Sequence, residues 1–330
     1  MKAHKQNGLT DPRKRHINYL RISITDRCNL QCLYCSPRRP FRHLAHRAIL
    51  RYEEILQVAE AGVRLGITKI RVTGGEPFVR KNAIGFLARL ASLPGLQELT
   101  LTTNGVRLGQ HLDRLAEMGV KRLNISLDTL DAEKYKKITG HDAFDRVWDA
   151  IESALAKGFF PIKINVVALS GINTDELADL AALTRTWPFH VRFIEQMPFG
   201  GGKTPKSPPL LEPEIRARIA ALGELQPVDR DKNDGPARRY RLADAPGEIG
   251  FISAVSHHFC NECNRLRLTA DGQIRSCLLS DITTDIKTPL RNGATDSQLA
   301  NVIAEAVEKK PLEHDPAIGQ RSARMVSIGG

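Results

Sequence analysis

The residues whose type and spacing could do chemistry are the cysteines. Cys28, Cys32 and Cys35 form one triplet, spaced C-x3-C-x2-C. Cys260, Cys263 and Cys277 form a second, spaced C-x2-C-x13-C, and together they account for all 6 cysteines. An even count allows disulfides, but each triplet paired within itself leaves one thiol over. The first residues, Met1-Lys2-Ala3-His4-Lys5-Gln6-Asn7, carry no apolar core and no small-residue cleavage site, so they do not read as a secretory signal. The expectation is a cytoplasmic protein whose cysteines stay reduced. Soft thiolates suit iron–sulfur clusters, zinc or copper(I). Three thiolates on a 4Fe–4S cubane leave one iron without a protein thiolate, and an open iron can bind a substrate. Structural zinc wants a fourth protein ligand. His43 and His46 could supply one to the first triplet, and His257 and His258, more credibly, to the second.

Close spacing helps only if the chain presents both triplets from a firm support. From residue 19 to 195 short β-rich runs alternate with amphipathic ones. The pattern predicts strands at Leu20–Ser23, Lys69–Thr73, Glu98–Thr103, Arg122–Leu127, Ile162–Val167 and His190–Glu195. It predicts helices at Tyr52–Leu65, Ala83–Leu90, Gln110–Met118, Phe144–Lys157 and Asp175–Arg185, with Gly66 ending the first and Asn173 or Thr174 capping the last. Six such repeats imply a parallel sheet with helices outside, either doubly wound or a partial barrel. In both, ligands bind at the carboxyl ends of the strands, where the first triplet and Thr73-Gly74-Gly75-Glu76-Pro77 both fall. The glycines there admit a ligand close to the backbone, and Glu76 offers an acceptor for an ammonium group.

The character changes near residue 198. A Gly/Pro-rich stretch, 199–209, precedes a helix at Glu212–Leu222. Short strands follow at Ala237–Leu242, Gly247–Ile252, Leu266–Thr269 and Ile274–Ser276, the last two around a turn at Ala270-Asp271-Gly272-Gln273. A final helix spans Asp296–Glu308. Two units are therefore expected, 1–198 and 199–330.

With 48 Lys and Arg against 37 Asp and Glu, the formal charge of +11 attracts anions. The cations are spread singly near element ends, which favours a small phosphorylated ligand over nucleic acid or a membrane surface. Aromatic residues make up 5% of the chain, too few for an extended base-stacking surface. No run of about 18 apolar residues is present, so no spanning helix is expected. Arg265 and Arg267 alternate on one strand and can point the same way.

The first triplet, with aromatic Tyr34 before its third cysteine, resembles the signature of the radical S-adenosylmethionine superfamily. That resemblance implies that the open iron chelates the methionine moiety of S-adenosylmethionine. An electron from the cluster then yields a 5′-deoxyadenosyl radical. It also implies that Tyr34, Gly75, Glu76, Ser126 and Met197 contact the S-adenosylmethionine. Both triplets, Asn18-Tyr19-Leu20-Arg21-Ile22-Ser23, Arg71-Val72-Thr73-Gly74-Gly75-Glu76-Pro77, Arg192-Phe193-Ile194-Glu195-Gln196-Met197-Pro198 and Asn264-Arg265-Leu266-Arg267 together resemble the GTP 3′,8-cyclase family of molybdenum cofactor biosynthesis, over almost the whole chain.

That closer resemblance implies an α/β fold: a partial (β/α)6 TIM-like barrel followed by an α+β region carrying a second 4Fe–4S cluster. It implies that GTP is held by Arg21, Arg71, Thr102, Lys163, Arg265, Leu266 and Arg267, and that Arg265, Arg267 and a terminal Gly329-Gly330 serve catalysis. Hydrogen removal from the ribose 3′ carbon, then attack on guanine carbon 8, would give (8S)-3′,8-cyclo-7,8-dihydroguanosine 5′-triphosphate. A flavodoxin or ferredoxin would be the electron donor, and cyclic pyranopterin monophosphate synthase the recipient of the product, with the enzyme a monomer or homodimer. Ser36, where the family commonly has Met, and the basic run Arg38, Arg39, Arg42 and Arg47 depart from the family pattern. Competing readings are a peptide-modifying radical enzyme with an auxiliary cluster, an iron–sulfur electron carrier, and a zinc-stabilised nucleic-acid-binding module.

Overall fold

A computed structural model describes residues 8–35, 43–197, 199, 208–229, 235–313 and 325–328. Ser36, Arg38, Arg39, Arg42, most of the 199–209 stretch, Gly329 and Gly330 lie outside the described residues. The chain opens with a small hairpin, β1 (Leu9–Thr10) and β2 (His16–Ile17). The repeating part follows: β3 (Tyr19–Ser23), α1 (Tyr52–Arg64), β4 (Lys69–Thr73), α2 (Ala83–Ala91), β5 (Glu98–Thr103), α3 (Leu112–Glu117), β6 (Leu123–Ser126), α4 (Ala132–Thr139), α5 (Phe144–Ala156), β7 (Ile162–Ala168), α6 (Leu177–Thr186) and β8 (His190–Glu195). Beyond it come α7 (Glu212–Ile219), β9 (Gln226–Pro227), β10 (Arg238–Arg241), β11 (Glu248–Ile252), β12 (Arg265–Leu268), β13 (Gln273–Arg275), β14 (Thr283–Asp285), α8 (Lys287–Arg291), α9 (Asp296–Glu308) and α10 (Met325–Ile328).

The large sheet has 12 strands in the order β14-β13-β12-β3-β4-β5-β6-β7-β8-β11-β10-β9. The six predicted strands are its centre and run parallel. The C-terminal segment then supplies one more parallel strand to each flank: β12 beside β3, and β11 beside β8. Antiparallel strands close both edges, and among the described residues the two edges do not pair, so the sheet is an open, partial barrel. Sequence alternation could not anticipate this sharing, because the partner of β12 lies at the other end of the chain. The sheet is continuous across residue 198.

Alternate residues of each central strand point to the helices, and these form the core. Leu20, Ile22, Ile70, Val72, Leu101, Leu123, Ile125, Ile164, Val191 and Phe193 are all buried there. Phe193 and Phe251 sit opposite each other on β8 and β11 and stack with centroids 6.1 Å apart. α1 begins at Arg51, whose backbone N–H donates to Glu54 at 2.6 Å. α4 was not expected from periodicity. Its signals were local: the Asp131 carboxylate accepts from the Lys134 N–H at 2.7 Å, and Gly140 ends it with φ 78°. Asn173 does not cap α6, which starts later. It is fully buried and pins the loop after β7, accepting from Leu169 N–H and donating to Asp128 and Val167 carbonyls. Among the described residues no helix is long and apolar enough to cross a membrane.

Phe251→Ala would open a cavity where the C-terminal strand meets the repeating part. Urea unfolding of the cluster-free protein should show a loss of about 3–5 kcal/mol. A loss under about 1 kcal/mol would mean the two parts are not packed through this pair.

Candidate functional site

The first triplet lies on the loop leaving β3, over the carboxyl ends of the parallel strands. The loop is fastened to the end of α4, where Gln31 N–H donates to Thr139 O at 2.8 Å and Leu33 N–H to Ile138 O at 3.0 Å. The Tyr34 hydroxyl donates to Asp128 at 2.8 Å, and Asp128 also accepts from Val167 N–H. Burial pushes the Asp128 carboxyl up to about 6 against those hydrogen bonds. Cys28 Sγ accepts from Leu30 N–H at 3.4 Å and from the Asn104 amide at 3.7 Å. Burial raises the Cys28 thiol to about 11, and raises Cys32, with Cys35 adding to the effect. Such thiols are inert until a cationic metal centre takes their protons' place.

All three thiols open on a cavity of about 180 Å³, together with Tyr34, Gly74, Gly75, Thr102, Ser126, Asn165 and Met197. Oγ1 of Thr73 and Thr102 and Oδ1 of Asn165 are buried without a hydrogen-bond partner. Buried polar atoms of this kind belong to sites awaiting a polar ligand. Gly74 and Gly75 let the backbone of this turn touch the cysteine loop, and a Cβ on Gly75 would lie 2.2 Å from Arg27 O. The Glu76 carboxylate does not face the cavity. It is fully buried and accepts from Phe78 N–H, Asn104 N–H and the Thr103 hydroxyl, with burial raising it to about 7.

The second triplet sits where β12 leaves its loop and β13 returns. Cys260, Cys263 and Cys277 line a separate cavity of about 70 Å³ with Arg265, Arg267 and His258. Met197 lines both cavities, so they adjoin. Here the electrostatics are reversed. Burial would raise the Cys263 thiol, but Arg265 and Lys310 outweigh it and bring it down to about 6. Among the described residues no three His, Cys, Asp or Glu side chains converge as a single metal ion requires. Cys260, Cys263 and Cys277 share this cavity and are the residues that could hold a metal centre there.

The glutamate ending β8 ties the two cavities together. Glu195 accepts from Val255 and Ser256 N–H at 2.8 Å each and from Glu212 N–H at 2.9 Å. It thereby fastens Met197, two residues on, against the approach to Cys260.

The inner face of the sheet is cationic, and it reaches the first cavity through Thr102 and the second through Arg265 and Arg267. Arg267, Arg21 and Arg71 are in register on three adjacent strands. One level away Arg265 pairs with Tyr19 and Tyr19 with Lys69. Thr102, Asn124 and Lys163 form a further row of the same face. Neighbouring strands are about 4.8 Å apart, so these charges repel at short range. Burial, then Arg267, depresses Arg21 well below the usual guanidinium range. Burial, then Arg265, brings Arg267 to about 10. Burial, then Arg192, brings Lys163 down to about 5. Nε of Arg71 is buried without a hydrogen-bond partner.

The structure thus gathers Arg21, Arg71, Thr102, Lys163, Arg265 and Arg267 on one face. Leu266 alternates to the other face and is 1% exposed in the core, so a ligand could meet only its backbone. Met325 of α10 lines the first cavity, which brings the chain to the site just before its last residues. Asn104, Asp128, Asn165, Arg192 and Glu195 were not singled out as site residues. Strand alternation with Lys163 would have found Asn165. Asn104 and Asp128 lie in turns whose aim only the fold decides.

Gly75→Ala must move the Arg27–Cys28 backbone. Iron in the reconstituted protein should drop from about eight to about four per chain, with the fold intact by circular dichroism. Retention of all the iron would show that the close approach is not required.

The Radical SAM superfamily pattern matches residues 22–184, and the Molybdenum Cofactor Synthesis C pattern matches residues 189–316. The GTP 3′,8-cyclase of Moorella thermoacetica is 48% identical over 323 residues, 98% of this chain and 100% of that protein. That of Heliobacterium modesticaldum is 45% identical over 327 residues, again 98% and 100%. The crystal structure of Streptococcus suis SuiB bound to S-adenosylmethionine matches with TM-score 0.62 over 87% of this chain and 67% of that one, at 14% identity, which shows a common fold. Matched end to end by such relatives, with both patterns in tandem, the chain belongs to the GTP 3′,8-cyclase family of the radical S-adenosylmethionine superfamily.

Proposed function

We infer that this protein cyclises GTP to (8S)-3′,8-cyclo-7,8-dihydroguanosine 5′-triphosphate, the first step of molybdenum cofactor biosynthesis. The observation that carries the reading is a cationic sheet face that reaches one thiol-lined cavity through Thr102 and an adjoining one through Arg265 and Arg267. Cys28, Cys32 and Cys35 would hold one 4Fe–4S cluster, and Cys260, Cys263 and Cys277 a second. Bound there, the first cluster and S-adenosylmethionine supply the electron and the cleavable sulfonium that start radical chemistry.

The protein's own residues do the positioning. Gly74 and Gly75 admit the methionine end, and Glu76 holds their turn in place. Ser126, Asn165 and Met197 line the space left for the nucleoside of S-adenosylmethionine, and Thr102, in the same cavity, would contact GTP. A triphosphate carries about four negative charges, which suits guanidinium forks in register. Arg21, Arg71, Lys163 and Arg267 would take it, while Arg265 and Arg267 fix the base end beside the second triplet. Holding ribose and base of one nucleotide in fixed mutual geometry is the main catalytic task. The division of labour falls near residue 198, with the S-adenosylmethionine site before it and the auxiliary cluster after it. Met325 lines the first cavity, and Gly329 and Gly330 would serve catalysis. The electron donor would be a flavodoxin or ferredoxin, and the product would pass to cyclic pyranopterin monophosphate synthase.

The test is anaerobic turnover with dithionite, S-adenosylmethionine and GTP, followed by chromatography. Formation of 5′-deoxyadenosine only with GTP, alongside the cyclised nucleotide, is expected. Formation of 5′-deoxyadenosine with GTP unchanged would leave the radical chemistry and remove the substrate.

Lys163 gives a second outcome. With its pKa near 5 it is mostly neutral at pH 7.5 in the free protein. Phosphate anions beside it favour the ammonium, so binding must take up a proton and weaken as pH rises. Calorimetric titration with GTP in two buffers of different ionisation enthalpy should reveal that uptake. Lys163→Met should lose it and bind at least about tenfold more weakly. Equal heats in both buffers for the parent protein would contradict this account.

A further inference from the structure

Behind the second triplet, away from its cavity, lies a buried lysine that forms no salt bridge among the described residues. Lys310 follows α9 and is 4% exposed. Its Nζ donates to Arg265 O at 2.9 Å and to Ser276 O at 2.5 Å. Ser276 precedes Cys277, and Arg265 lies two residues after Cys263. The ammonium therefore joins the start of β12, just after Cys263, to the residue before Cys277, just past β13. Among the described residues no salt bridge to Lys310 is formed. Burying an ammonium without a counter-anion is expensive. Burial lowers the Lys310 ammonium from its ordinary value, and the anions that act against that are the nearby sulfurs of Cys263 and Cys277.

The third ligand is gripped in the same way. Arg15, on the turn between β1 and β2, donates from Nη1 to Cys260 O and from Nη2 to Pro311 O at 2.9 Å. Asp11 accepts from Arg15 Nε and holds it in place. The Lys310-Pro311 step thus bridges the two grips, and each cysteine of the triplet is tied to a cation through a backbone carbonyl at or near it.

We propose that Lys310 is a positioning residue that serves as the buried counter-cation of the second cluster and raises its reduction potential. The proposal rests on the reading that the second triplet holds an iron–sulfur cluster. A cubane on three thiolates is anionic and gains one more negative charge on reduction. A fixed positive charge beside it favours the reduced form. The lysine touches neither substrate nor iron and acts through the thiolates and the carbonyls that fix them.

The experiment uses the full chain with Cys28, Cys32 and Cys35 changed to Ala, so that only the second cluster is reconstituted. Its midpoint potential is followed by electron paramagnetic resonance. Lys310→Gln keeps an amide that can donate to both carbonyls but removes the charge. Lys310→Arg keeps the charge. The Gln variant should show a lower potential, tenfold or more in the reduction equilibrium and so roughly 59 mV for one electron, while the Arg variant stays near the parent. Equal potentials in all three proteins, or the same shift in both variants, would overturn the proposal. Loss of fold in both variants would also overturn it, by assigning Lys310 to the scaffold. Absence of iron from the parent itself would sink the cluster reading instead.

Discussion

Repulsion among buried cations is the constraint on which the rest of this structure depends. A parallel sheet normally fills its concave side with aliphatic residues. Here Arg267, Arg21 and Arg71 stand side by side on adjacent strands, with Lys163 and Arg265 on neighbouring rows of the same face. Burial depresses Arg21, Arg267 and Lys163 because their charged forms are costly there. The helix-facing side must carry the folding energy alone, and its continuous aliphatic layer does so. The inner face is left to recognise a polyanion.

The two thiol triplets meet opposite fields at the two ends of that face. Around the first, burial and neighbouring acids and thiols disfavour the thiolate. Around the second, Arg265 and Lys310 favour it. Cys28 and Cys263 thus sit in opposite fields, the first thiol raised to about 11 and the second brought down to about 6. A polynuclear centre placed in each would feel the same difference, since the charge of the surroundings sets how readily an electron is accepted. The fold places the two fields a short distance apart, with Met197 at the boundary.

The open sheet makes this arrangement mechanically possible. A closed barrel would bury both flanks of the central strands. Here β12 and β11 extend the parallel sheet at its two flanks and bring the C-terminal segment to both. Glu195 then fastens the end of β8 to residues 255 and 256, just ahead of Cys260. The Phe193–Phe251 stack locks the same junction from the core side.

Much of this was legible in the sequence. Thiol spacing is a local property, so both triplets could be read directly. Strand and helix periods are local too, which is why the six central strands were found within a residue or two. The resemblance carried the arginines, Thr102 and Lys163, whose types suit phosphate wherever they are aimed. α4 was missed because its apolar spacing is weak and its start and stop signals had to be weighed against a loop. Asn173 reads as a cap in sequence, yet the fold uses it to pin a loop. Only the tertiary structure decided that β12 lies beside β3, that Leu266 packs in the helix-facing core between two arginines on the inner face, that Glu76 serves its own turn, and that Arg15 and Lys310 close behind the second triplet. Each of these depends on which distant segment becomes a neighbour. Strand pairing across the whole chain sets that, and no local pattern encodes it.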